Sequence, residues 1–194
     1  MLLTTNTVLL QGLADPGNDQ VWGEFDLRYR PVLAGFARKL GLSAEDAEDA
    51  AQDALVRFAR EYRAGRYQRE RGRLRSWLFA MARACVADLR RKRTPERGGR
   101  GDSVLQELPA AAELDRVFES EWRAAILRAG MRELRQSLGA DPDSARVLER
   151  IALEGRSPAE VATEFGMTVN AVYIAKHRAL ERLRAILARL ERDW

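Results

Sequence analysis

The chain reads as all-α, with two small helical domains joined by a flexible linker. Apolar residues recur at three- and four-residue intervals through most of its 194 residues, the spacing of one buried helix face. No segment alternates apolar and polar residues with the period of two that a half-buried strand requires. Between the periodic halves, residues 94–114 lack a sustained period and carry Pro95, Gly98, Gly99, Gly101 and Pro109. Domains at 1–93 and 115–194 with a linker at 94–114 are therefore expected, and 194 residues suffice for two cores.

At the amino end, Leu9, Leu10 and Leu13 form an apolar patch stopped by Asp15-Pro16-Gly17, and Asn18 or Asp19 can cap the next helix. In that helix Trp22, Phe25, Tyr29, Val32, Phe36 and Leu40 recur at helical spacing, with a kink expected at Pro31 and an end at Gly41. Ser43 and Asp46 make a capping box for another. Its inward stripe, Ala47, Ala50 or Ala51, Ala54 and Phe58, is small except at its end, so a neighbouring helix can lie close. Its outward face holds Glu45, Glu48, Asp49, Gln52 and Asp53. The helix dipole accounts for carboxylates in the first turn. Gln52 and Asp53 lie beyond it, and a partner with a basic surface is the functional alternative.

The charge then reverses. From Arg66 to Arg93 the only acids are Glu70 and Asp88, set among a run of arginines. Tyr67 to Gly72 reads as a loop, and Leu74, Trp77, Leu78, Met81, Cys85 and Leu89 mark a helix that ends in the basic run. A single basic run is usually a solvated face or tail. Here arginines flank an aromatic-bearing loop and both ends of one helix, the footprint of phosphate contact with bases stacking nearby. Fully extended, the linker reaches about 70 Å, on the order of twenty base-pair steps. Two DNA-reading modules joined in this way can touch sites about two helical turns apart.

Beyond the linker, Phe118, Trp122, Ala125 or Ile126, Ala129, Leu134 and Leu138 trace a helix closed by Gly139. Asp141 and Pro142 open another, with Val147, Leu148 and Ile151 inward and Gly155 at its end. Ser157, Pro158 and Glu160 start a short helix with a hydroxyl cap, a proline in the first position and a carboxylate in the third. Val161, Ala162 and Phe165 give it an apolar face, Gly166 can leave it at positive φ, and Thr168 caps the last helix. Small Ala162, then Gly166, then Val172 is the spacing of two closely crossed helices, the helix-turn-helix whose second helix enters the major groove. The stripe Val172, Ala175, Ala179, Leu183, Ile186 and Leu190 packs inward, leaving Asn170, Tyr173, Lys176, His177 and Arg178 outward. The bland alternative is an amphipathic hairpin with a solvated basic face.

Composition narrows the function classes. Lys plus Arg 33 against Asp plus Glu 29 gives a modest net charge of +4, segregated along the chain. Cys85, the only cysteine, reads as a buried core thiol, and His177 is the only histidine. No cluster has metal-ligand or catalytic spacing, so neither a catalytic site nor a metal or other cofactor is expected. No apolar run approaches a membrane span, and no Lys or Arg precedes the Leu-rich amino end, so the expectation is a soluble, cytoplasmic protein without a membrane partner.

The segments LSAEDAEDAAQD from Leu42 to Asp53, SWLFAMAR from Ser76 to Arg83, and Val172 to Ala179 stand in an order and spacing that resembles an extracytoplasmic-function RNA polymerase sigma factor of the sigma-70 family. The resemblance covers nearly the whole chain and makes 1–93 region 2 and 115–194 region 4. It implies that Asp46, Asp49, Gln52 and Asp53 dock on the clamp helices of the polymerase largest subunit. It implies that Tyr67, Arg69, Arg71 and Arg73, with Arg75, Trp77, Arg83, Arg90, Arg91 and Lys92, bind and help open the −10 element. It implies that Thr168, Asn170, Ala171, Tyr173, Ile174, Lys176, His177, Arg178 and Arg182 serve the −35 element. The implied partners are core RNA polymerase, through its clamp helices and flap region, and promoter DNA, with room for an anti-sigma factor. Ala84 stands where many members carry asparagine, and Tyr173 and Ala175 where lysine and arginine are frequent.

The rival reading is a stand-alone helix-turn-helix regulator whose amino-terminal half senses a ligand or dimerises. It leaves the basic stretch 66–93 and the long linker without a role, and it requires a palindromic site. An enzyme is the least supported class.

Overall fold

The computed structural model describes residues 8–15, 17–67, 74–93, 109–137 and 142–194. Every regular element among them is a helix. These are α1 (Val8–Gly12), α2 (Asp19–Lys39), α3 (Ala44–Arg63), α4 (Leu74–Arg93), α5 (Ala111–Ser137), α6 (Pro142–Ala152), α7 (Pro158–Phe165) and α8 (Val169–Asp193). The chain divides into two compact units, Met1–Ala125 with Trp194, and Ile126–Asp193.

In the first unit α2 is the central element. The Asn18 side chain accepts from the Val21 N–H, and the helix runs unbroken through Pro31 to Lys39. It ends in a Schellman motif, with Leu42 N–H donating to Ala37 O and Gly41 N–H to Arg38 O, and Gly41 sits at φ 88°. Phe25, Tyr29, Val32 and Phe36 are fully buried. The alanines of α3 let it lie close to α2, and Phe58 at its far end stacks on Phe25 with ring centroids 4.9 Å apart. Leu78, Ala82, Cys85 and Val86 close the core from α4. Arg57 of α3 donates to Asp88 of α4 at 2.7 Å. Burial pushes the Asp88 carboxyl up, but bonds from Arg57 and Arg91 outweigh it and leave the group below its ordinary value.

Residues 111–114, expected at the end of the linker, form the first turn of α5. Leu114 is buried and continues the stripe of Phe118 and Trp122, so the period starts one turn earlier than the prolines and glycines suggested. Phe118 packs edge-on to Phe36 and against Phe79, centroids 5.6 and 4.9 Å away, within the first unit. That unit runs to Ala125, past the expected domain start at 115.

In the second unit a small core joins Val147 of α6, Val161 and Ala162 of α7, and Val172 and Ala175 of α8, with Ile151, Phe165 and Met167 at its edge. The expected inward stripe of α8 is buried from Val172 to Leu190. Gly130 allows the close approach of α5 to α8, since a Cβ there would fall 2.7 Å from a Leu187 methyl. Ion pairs also link the unit's helices at the surface, among them Arg135 to Glu149 at 2.6 Å, Arg150 to Glu164 at 2.9 Å and Arg189 to Glu133 at 2.5 Å. Among the described residues no helix is long and apolar enough to cross a membrane.

Candidate nucleic-acid interface

Three surfaces carry the expected site residues that are described, one on α8, one on α3 and one where α3 meets α4. On α8, Thr168 caps the helix by accepting from the Ala171 N–H at 3.1 Å. The preceding turn is fixed from the other side. Ser157 and Glu160 form a reciprocal capping box on α7, Gly166 takes φ 62°, and Met167 N–H returns to Ala162 O at 2.9 Å. With Val172 fully buried, helical geometry turns Asn170, Tyr173, Ile174 and His177 to the opposite side, and all four are exposed. Tyr173 is 54% and Ile174 51% accessible, large apolar surface that a helix on a solvated face gains nothing by showing. Arg178 and Arg182 are exposed further along, and Ala171 and Lys176 are half-buried.

On α3, Asp49, Gln52 and Asp53 are exposed together with Glu45 and Glu48, so the acidic face is present as expected. Asp46 is not part of it. It is 4% accessible, and Ser43 Oγ both donates to its carboxylate at 2.7 Å and accepts from its N–H at 3.1 Å. The capping geometry that identified the helix start uses up this side chain.

The third surface lies where α3 and α4 meet. Tyr67 packs on Trp77 with centroids 5.2 Å apart, on Tyr62 at 5.9 Å and on Phe58 at 6.5 Å. Beside Trp77 an open groove of about 560 Å³ is lined by Arg57, Arg60, Glu61, Ala80, Met81 and Ala84. Arg83 and Lys92 are exposed, and Arg91 is exposed while bridging Asp88. Rings beside guanidinium groups in an open groove suit single-stranded nucleic acid, with bases against rings and phosphates against cations.

Two arginines expected here are committed within the fold. Arg90 donates to the Leu40 carbonyl at the end of α2, acting as a cap on that helix. Arg75 pairs with Glu119 of α5, and its guanidinium lies 5.2 Å from the Trp122 ring centre. Arg69, Arg71 and Arg73 lie outside the described residues. Residue spacing did not single out Arg57 and Arg60, which the α3–α4 packing brings to the groove, or Tyr62, which packs on Tyr67. Their one signal along the chain is their position at the end of an amphipathic helix facing the basic segment.

Residues 26–96 match the Sigma-70 region 2 family and residues 141–183 the Sigma-70, region 4 family. The RNA polymerase sigma factor CnrH of Cupriavidus metallidurans is 28% identical over 92% of this chain and 93% of its own. The ECF RNA polymerase sigma factor RpoE of Cereibacter sphaeroides is 25% identical over 91% of each chain. SigD of Mycobacterium tuberculosis is 29% identical over 81% of this chain and 69% of its own. A solved structure of CnrH in complex with the cytosolic domain of CnrY aligns over 95% of this chain and 97% of that one at 26% identity, with a TM-score of 0.38.

Proposed function

The chain belongs to the extracytoplasmic-function sigma factors of the sigma-70 family, and from that premise we propose how its surfaces divide the work of directing RNA polymerase to promoters. The exposed recognition face of α8 reads the −35 element, with Asn170, Tyr173 and Ile174 at base edges and Arg178 and Arg182 at phosphates. The aromatic groove between α3 and α4, with Arg83, Arg91 and Lys92, takes the −10 strand as it opens. The acidic face Asp49, Gln52 and Asp53 docks on the clamp helices of the polymerase, with Asp46 holding the helix start beneath it. Residues 1–93 then act as region 2 and 115–194 as region 4. Bond-making belongs to the polymerase, and the chain acts in the cytoplasm as its specificity subunit. The resemblance leaves room for an anti-sigma factor, and CnrH itself forms a complex with the cytosolic domain of CnrY.

The observation that carries this reading is the apolar recognition face. Tyr173 and Ile174 stand exposed beside Asn170 on the second helix of a helix-turn-helix, where a thymine methyl or an adenine edge would cover them. The docking surface has its own test. Asp49→Lys with Asp53→Lys should abolish co-purification with core polymerase at unchanged helical content. Wild-type yield from the double variant would place the dock elsewhere.

A further inference from the structure

The groove between α3 and α4 holds one group that a bare phosphate track would exclude. Arg57, Arg60 and Glu61 line it from α3, facing Trp77, Ala80 and Ala84 of α4. Ala80 and Ala84 are exposed and carry only a methyl, so the floor beside the Trp77 ring is open. Glu61 is held in place by Arg66, whose Nη1 donates to both carboxylate oxygens at 2.8 Å. The Glu61 side chain stays 29% accessible, and each oxygen keeps a lone pair for a further donor. Arg57 and Arg60 attract a DNA backbone, whereas the Glu61 carboxylate repels it. An ionised carboxylate only accepts hydrogen bonds, and within a DNA strand every donor sits on a base. A strand seated in this groove therefore gains from Glu61 only where it brings a base donor to it.

We propose that Glu61 is a specificity-determining residue of the −10 surface: it accepts from the amino group of one unpaired base, favouring cytosine, adenine or guanine over thymine at that position. The inference rests on the reading of the groove as the seat of the −10 strand. Once the strands part, the pairing edge of each base is free to meet a side chain. Cytosine, adenine and guanine present an amino group there. Thymine presents one ring N–H between two carbonyl oxygens, which the carboxylate repels. Arg66 acts as a positioning residue that fixes the direction of the carboxylate, and Trp77 supplies a ring against which the base lies.

The test uses the full chain in complex with core polymerase, selecting from a duplex pool with a randomised single-stranded bubble at low and moderate salt. Wild type should deplete thymine about tenfold at one bubble position. Glu61→Ala should return thymine there to its share of the pool and leave the other positions as in wild type. Arg60→Ala probes the groove itself and should weaken all sequences alike with a lower salt slope. Selection by Glu61→Ala identical to wild type, with Arg60→Ala still weakening binding, would overturn the base contact and keep the groove. A uniform, salt-screened gain for Glu61→Ala would overturn it too, leaving Glu61 as a charge that repels the backbone. If neither variant changes affinity or selection, the groove assignment fails and the role of Glu61 fails with it. Alanine favours the helix at this surface position, so circular dichroism should show unchanged helical content.

Discussion

Asn170 and Arg182 share the exposed side of one helix and should fail differently when removed. Asn170 lies in the first turn of α8, where a helix entering the major groove meets base edges, and an asparagine pairing with adenine contributes roughly 1 to 3 kcal/mol of discrimination. Arg182 lies about three turns on, at phosphate height. Asn170→Ala should relax preference at one or two positions of the upstream box with the salt dependence unchanged. Arg182→Ala should weaken all sequences alike and lower the salt slope by about one. A library of upstream boxes bound by the polymerase complex at several salt concentrations separates the two effects, and identical losses would mean the helix is oriented differently. Cys85 gives a second test at this scale. Burial pushes its thiol from an ordinary 9.0 up to about 11, so at pH 8 it should resist alkylation until the chain unfolds. The folded state holds this proton longer than the unfolded one, so the linked stability is intact below about pH 9 and declines as pH rises toward 11. Rapid labelling of the native chain at pH 8 would contradict the buried placement.

Among the elements, α7 and the turn after it were the most legible, because their signals are local. Ser157, Glu160 and Gly166 act through bonds three or four residues away, and spacing alone reports such bonds. Gly166 sits at φ 62° with no atom within 4 Å of the place a Cβ would take, so Gly166→Ala would meet only the left-handed backbone penalty. It should cost about 1 to 2 kcal/mol, read as a lower denaturation midpoint of the full chain, and no loss would mean the turn relaxes to another conformation. The α8 stripe was equally plain, since six apolar residues at three- and four-residue steps leave one face for the core. What the spacing could not reveal was long-range partnership. Arg90 serves a carbonyl fifty residues back, and Arg75 meets a helix beyond the linker, so both looked available when read by charge alone. Asp46 shows the same limit in reverse. A correct cap assignment already implied that its carboxylate was engaged, yet its charge grouped it with Asp49 and Asp53.

On the scale of the whole molecule, the first unit gathers an acidic face on α3 and an aromatic, basic groove at α3–α4, while the second presents the recognition face of α8. The groove and the recognition face differ in chemistry, whereas a palindrome-binding regulator presents one and the same surface twice. A sigma factor instead needs the polymerase and reads two different boxes. The deciding measurement is selection of bound sequences from a randomised DNA pool, once with the chain alone and once with core polymerase added. Two unlike boxes at a fixed spacing, recovered only when core polymerase is present, are the expected result. A single palindrome selected by the chain alone, unchanged by polymerase, would contradict it.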